Sequence, residues 1–282
     1  MLYDVSISEA RKIYSEFEFV KALTPSAQKA AFHVRRGGQD LCLKLIAPNY
    51  GRERLDREIL AMQTIRHKNV ARLVEYLFES KEGIQRHYIL EHFIDGLDLT
   101  DKLVPGKPWK LRTACAFFAE LCDGLSALET RQIVHRDLKP SNVRVKPDGS
   151  PVLIDLGLAR HLMLTDLTST GEGAEIGTPT YFAPEQFAGT KYDIDCRTDL
   201  FAAGILLYQA LVGRHPFMRP GMTRQELRDE VCQSEACFSD RSFLLLPKEI
   251  RLLIEKLMSK ERANRPVSAE LVSRLLRRMG GS

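Results

Sequence analysis

Apolar and polar positions alternate over the first third of the chain and then settle into helical spacing. From about Glu18 to Ile46 the apolar runs are short, and AAFHV and LCLKLI flank Arg35, Arg36, Gly37, Gly38, Gln39 and Asp40. That interval predicts a hairpin turn. RERLDREILAMQTIRH then places Leu55, Ile59 and Met62 at helical spacing, with Glu58 on or beside the buried face. Two more runs, ARLVEYLF and HYILEHF, read as strands before the glycine-containing IDGLDL breaks the pattern.

Beyond that break the pattern turns mostly helical. Ala114, Phe117, Phe118, Leu121, Leu125 and Leu128 share one stripe; Phe201, Ile205, Tyr208 and Leu211 share another. Ile250, Leu253, Ile254, Leu257 and Met258 form a third stripe, and Leu271, Val272, Leu275 and Leu276 a fourth. Between the first two helices NVRV and VLID, joined by KPDGS, predict a small hairpin through their Asp-Gly pair. The stretch from Ala159 to Thr180, rich in Thr, Ser and Gly, has no clear period, and a loop of that length in a compact domain is usually functional or mobile. The pattern carries no internal repeat.

At 282 residues the chain is long for one core, so two lobes of unequal size are expected. Apolar residues at 44% and charged residues at 28% supply a core without the signature of disorder. The net charge of +4 comes without a lysine or arginine run, so it does not argue for nucleic acid; it reads as a solvated mixed-charge surface, and no nucleic-acid partner is expected. No apolar run reaches the roughly 18 residues that span a bilayer, and the N-terminus lacks the order of a signal peptide, so no membrane partner is expected. Six scattered cysteines without CxxC spacing read as reduced thiols of a cytoplasmic protein. The terminal GGS reads as a linker, which would make the chain a domain of something longer.

The polar residues that remain arrive in a telling order: LCLK with Lys44, then Glu58, HRDLKPSN (His135 to Asn142), DLG (Asp155 to Gly157) and APE (Ala183 to Glu185). Singly, each has a plain alternative, a solvated strand lysine or a proline-started helix among them. As an ordered set from about Phe19 to Met279 they resemble the eukaryotic-type Ser/Thr protein kinases, bacterial members included. The resemblance implies an α+β, bilobal protein-kinase-like fold: a small β-rich N-lobe with one main helix (1–93) and a larger helical C-lobe (94–282), forming a single kinase domain.

It also implies ATP- and Mg²⁺-dependent transfer of a γ-phosphoryl group to Ser/Thr hydroxyls of a protein substrate, with autophosphorylation. Such a transfer passes through a loose, highly charged transition state, so the protein mainly positions groups and neutralises charge. On this resemblance Lys44 pairs the α/β-phosphates and is held by Glu58. Asp137 accepts or orients the acceptor hydroxyl, Lys139 reaches the transferred phosphate, and Asn142 and Asp155 are oxygen ligands of Mg²⁺. Ala31, Cys42, Glu91 and Phe93 fall at nucleotide-binding positions, joined by Ser26, Lys29 and Arg144. Lys139 and GTPTYFAPE place the chain with Ser/Thr rather than tyrosine kinases. Met62, Leu73, His135 and Leu156 match an apolar column, Asp199 a brace of the catalytic loop, and Glu185 and Arg265 a buried pair.

Two departures stand out. Thr24, Ser26 and Lys29 occupy positions where a phosphate-covering loop carries glycines, leaving no evident backbone freedom for close approach. Lys29 then reads either as a phosphate-facing charge or as a solvated hairpin lysine. Arg144 lies where an apolar residue would underlie adenine; it reads as a guanidinium stacked on the base, as an obstruction, or as the polar side of a hairpin. These departures keep a pseudokinase-like scaffold open as an alternative, and a small-molecule kinase as a third reading. Arg136 suits an activation-loop phosphate, for which Thr165, Thr168, Ser169, Thr170 and Thr178 are candidate sites, with Thr178 also suited to bridging toward Asp137 and Lys139; alternatively Glu172 or Glu175 supplies the charge.

Overall fold

The computed structural model describes residues 5–25, 29–46, 59, 63–81, 84–156, 179–188 and 194–281. They pack as two compact units. One holds the described residues of Met1–His67 and Ala71–Ile94; the other holds Lys68–Val70 and the described residues of Asp95–Ser169 and Gly177–Ser282.

The first unit is a five-stranded antiparallel sheet in the order β1-β2-β3-β5-β4, from β1 (Glu18–Ala22), β2 (Lys29–Arg36), β3 (Gln39–Ile46), β4 (Leu73–Lys81) and β5 (Ile84–His92). The turn between β2 and β3 is tighter than the six residues expected. Arg36 pairs with Gln39, leaving Gly37 and Gly38 alone at φ +58° and +76°. A two-residue turn whose central residues both have positive φ matches the twist of the strands, and glycine enters it without a Cβ penalty.

Strand register sorts the side chains into two faces. Phe32, Val34, Leu41, Leu43, Leu45, Tyr88 and Leu90 share the apolar face, which packs with Ala10, Tyr14, Phe17 and Phe19. Those packing residues come partly from an element the hydrophobic pattern did not reveal, α1 (Ile7–Ile13). It is started by Ser6, whose hydroxyl accepts from Glu9 N while the Glu9 carboxylate accepts from Ser6 N. Tyr14 and Phe17 meet Tyr88 edge to face at 5.6 and 5.7 Å. The expected helix over RERLDREILAMQTIRH lies largely outside the described residues, although Ile59 is described as buried.

The second unit is mostly helical. A short β6 (Leu97–Asp98) pairs with β7 (Val143–Val145), which pairs with β8 (Pro151–Leu153). The helices are α2 (Leu99–Lys102), α3 (Leu111–Glu129), α4 (Pro184–Phe187), α5 (Cys196–Val212), α6 (Arg224–Gln233), α7 (Arg241–Leu244), α8 (Lys248–Leu257) and α9 (Ala269–Gly280). The α3 stripe is buried as expected. Helix α5 differs: residues 198–208 are buried on every side, so it is a central core helix rather than an amphipathic one. Gly204 permits this, since a Cβ there would lie 2.8 Å from the Leu257 Cβ. On α9 the buried positions are Ala269, Val272, Ser273 and Leu276, with Leu271 and Leu275 half-exposed. The sheet-rich first unit and helical second unit make the fold α+β. Among the described residues no helix is long and apolar enough to cross a membrane, and the six cysteines form no disulfide with one another.

Candidate active site

On the sheet of the first unit, the face opposite the apolar core gathers the expected nucleotide residues. Register places Ala31 opposite Lys44, and Cys42 opposite both His33 and Glu91; with period-two alternation these and Lys29 share one face. Lys44 is 4% exposed, and its ammonium donates to Glu91 Oε2 at 2.7 Å. Glu91 is itself 6% exposed. Lys29 is buried too, which rejects the solvated-hairpin reading. Phe93 lies just past β5; its N–H donates to the Asp40 carbonyl and its ring stacks on His33 at 3.8 Å. Glu58 and Ser26 lie outside the described residues, as does Met62 of the apolar column.

In the second unit HRDLKPSN forms a loop ending in a 3-10 turn, Pro140–Asn142, with the proline at the turn's start where its missing N–H is no loss. The turn brings three expected residues together. Lys139 Nζ donates to Asp137 Oδ2 at 2.7 Å, and Asn142 Nδ2 donates to the same oxygen at 2.9 Å and to the Asp137 carbonyl at 2.7 Å. Its amide nitrogen is thus used twice on Asp137, and the amide oxygen Oδ1 is an acceptor only. The Ile154 N–H donates to the Asn142 carbonyl at 3.0 Å, and His135 Nε2 meets the Ile154 carbonyl at 3.0 Å. These bonds fasten the strand end that carries Asp155 beside Asn142.

Among the described residues only Gln132, Arg136 and Asp155 combine a side chain with positive φ. Arg136 at +66° and Asp155 at +57° are both expected site residues. Such conformations persist where the surroundings over-determine them. For Arg136 the constraint is explicit at both ends of its backbone. Asp199, 3% exposed on α5, accepts from the N–H of His135 at 2.7 Å and of Arg136 at 2.8 Å. Burial pushes the Asp199 carboxyl above the usual carboxylate range, opposed by the neighbouring His135 and Arg136 and by those amide bonds. Gln186 Nε2 donates to the Arg136 carbonyl at 2.8 Å while Gln186 Oε1 accepts from Ala183 N at 3.0 Å. Gln186 escaped the sequence reading because it follows APE without belonging to any expected motif, and only the folded path of α4 brings it to the loop.

Glu185 and Arg265 form the expected pair. Arg265 Nη1 and Nη2 donate to the two Glu185 oxygens at 2.7 and 2.8 Å. The guanidinium also donates to the carbonyls of Ser259, Arg197 and Lys260, and Thr198 Oγ1 donates to Glu185 Oε1 at 2.8 Å. Burial raises the Glu185 carboxyl, but the bonds from Arg265 outweigh it and hold the group below its ordinary range.

Arg144 finds partners that spacing in the sequence did not suggest. Val143 and Val145 are buried on one side of β7, and on the other the Arg144 guanidinium reaches β6, donating from Nη1 to Asp98 Oδ1 at 2.7 Å and from Nη2 to the Gly96 carbonyl. Its two terminal nitrogens are thus engaged within its own unit. Leu156, the last described residue of the segment that carries Asp155, is buried, while Thr165, Thr168, Ser169, Thr170 and Thr178 lie outside the described residues.

In the second unit the cluster can orient a hydroxyl at Asp137 beside the Lys139 ammonium, which is the work of a phosphoryl-transfer protein. Residues 32–275 match the family described as Protein kinase domain, and the chain belongs to that family, for which ATP is the phosphoryl donor. It is similar to serine/threonine-protein kinase pkn2 of Myxococcus xanthus, 33% identical over 223 residues, covering 77% of this chain and 26% of that protein. Serine/threonine-protein kinase Pkn1 of the same organism is 34% identical over 177 residues, 61% of this chain and 24% of the relative. Human serine/threonine-protein kinase DCLK3 is also 34% identical over 177 residues, 61% of this chain and 26% of that protein. The chain spans about a quarter of the length of these relatives.

Proposed function

We propose that the chain is a single kinase domain, with lobes at 1–93 and 94–282, that transfers the γ-phosphoryl group of ATP to Ser/Thr hydroxyls of proteins, itself included, in the cytoplasm. The observation that carries this reading is the Asp137 carboxylate held by both Lys139 and Asn142. A carboxylate fixed at one oxygen by two donors keeps the other for an incoming hydroxyl, and orientation of this kind supplies much of the rate in phosphoryl transfer. Lys44 binds the α/β-phosphates, with Lys29 on the same sheet face as a second cation, and Lys139 stands beside Asp137 to meet the transferred group.

The donor chemistry fits Mg²⁺. A hard cation of this size binds through one or two protein oxygens alongside substrate phosphates, so an amide oxygen and a carboxylate suffice. Asn142 and Asp155 would hold the ion, which when bound neutralises phosphate charge. Arg144 we assign to securing β6, since its guanidinium is bonded to Asp98 and Gly96. Arg136 remains the candidate phosphate receptor for the loop serines and threonines.

Incubation with γ-labelled ATP and Mg²⁺ tests the reading. Label is expected on the protein itself or on a generic protein acceptor, and Asp137→Asn and Asp155→Asn are each expected to abolish it while leaving the melting temperature nearly unchanged. Nucleotide binding without label transfer in the parent protein would favour the scaffold reading, and label found only on a small metabolite would favour a small-molecule kinase.

A further inference from the structure

A buried carboxylate on a central strand is costly unless its charge is answered, and Glu91 is the one buried Asp or Glu among the described residues of the first unit. Its neighbours on β5, Tyr88, Ile89 and Leu90, are buried and apolar or aromatic, as a central strand requires. Glu91 sits opposite Cys42, and Lys44 opposite Ile89, so the two charged residues are diagonal neighbours on the same face of adjacent strands. Their side chains meet at 2.7 Å, with 5% and 8% of each side chain exposed.

We propose that Glu91 is a positioning residue for Lys44: its carboxylate holds and aims the ammonium for the phosphates of the nucleotide. The proposal rests on the reading of Lys44 given above. It assigns the Glu91 side chain to the lysine rather than to the nucleotide directly. Two features of the sheet support it. Backbone bonds between β3 and β5 fix both Cα positions, so the pair is oriented by the ladder itself and does not depend on how another element docks. Burying an ammonium is also costly unless an opposite charge answers it, and Glu91 places a carboxylate oxygen 2.7 Å from it within the sheet. The arrangement gives the lysine its direction before any nucleotide arrives, which is the sense in which binding groups are preorganised.

The test measures binding of MgATP to the whole chain by titration calorimetry, with a thermal melt of each variant. Glu91→Leu is expected to weaken MgATP binding about tenfold, the worth of one hydrogen bond to a charged group. Glu91→Gln keeps the shape and an acceptor oxygen, so about threefold is expected, and this variant carries the test if the leucine variant does not fold. In a Lys44→Met background neither change is expected to weaken binding further. MgATP binding at or above the parent affinity in Glu91→Gln overturns the proposal, because the carboxylate would then compete with phosphate for the lysine. An undiminished loss in the Lys44→Met background overturns it as well, placing Glu91 on the nucleotide itself. Parent-level binding by Lys44→Met alone is a different failure: it removes the role of the lysine, and the proposal with it.

Discussion

Removing Arg265 tests the energetics of the second unit most sharply, because each guanidinium nitrogen has identified acceptors among the described residues. Arg265→Ala leaves the Glu185 carboxylate, whose side chain is 9% exposed, with the Thr198 hydroxyl in place of a two-point ion pair. Stranding one member of a buried pair costs about 3–5 kcal/mol. The same change removes the donor from the carbonyls of Ser259, Arg197 and Lys260, which places the cost near the upper end, about 5 kcal/mol. Glu185→Ala is milder. The guanidinium keeps those three carbonyls and lies over the Phe201 ring at 4.8 Å, so about 3 kcal/mol is expected. Trp109 is the single tryptophan of the chain and packs edge to face on Phe117 at 5.2 Å, so its fluorescence reports unfolding of this unit. Urea titrations followed at Trp109 should rank Arg265→Ala below Glu185→Ala, and both below the parent. A cost under about 1 kcal/mol for Arg265→Ala would refute the reasoning, as would the reverse order.

Gly96 and Gly149 both have positive φ, +131° and +83°, but differ in space. An added Cβ at Gly96 would lie 2.1 Å from the Val145 carbonyl oxygen, whereas nothing lies within 4 Å at Gly149. Gly149→Ala is therefore expected to cost about 1 kcal/mol and Gly96→Ala about 2–5 kcal/mol, with equal melting temperatures as the refuting result. Acid should weaken the second unit through Glu185. Its folded pKa is depressed, so its stabilisation is complete above the ordinary glutamate value of 4.5 and is lost as pH falls through the lower folded value. Thermal melts from about pH 6 to about pH 3 should show that loss in the parent and a flatter acid limb in Arg265→Ala, where the bonds and charge that chiefly lower the carboxyl are gone.

Much of the site was legible because it is written in short segments. Asp137, Lys139 and Asn142 lie within six consecutive residues, and a 3-10 turn started by Pro140 brings them together by local geometry alone. Alternation in AAFHV and LCLKLI likewise decided which residues share a sheet face, because period two is a property of the strand backbone. Two local signals went unread: the Ser6-to-Glu9 capping box that starts α1, and the paired glycines that shrink the hairpin turn to two residues.

What the sequence alone determined, then, was the α+β order of elements, the polar residues of the catalytic loop and the sheet face that bears Lys44. Tertiary structure decided the rest. Helix α5 looks amphipathic by its stripe, yet Gly204 lets α8 approach and the helix is buried all round. Gln186 reaches the Arg136 carbonyl from 50 residues away, Arg144 is drawn to Asp98 across 46, and Glu91 meets Lys44 across 47. Such partners carry no signal in sequence spacing, because a side chain finds its hydrogen bond by where the backbone delivers it in space, and a buried charge accepts whichever opposite group the packing leaves within reach.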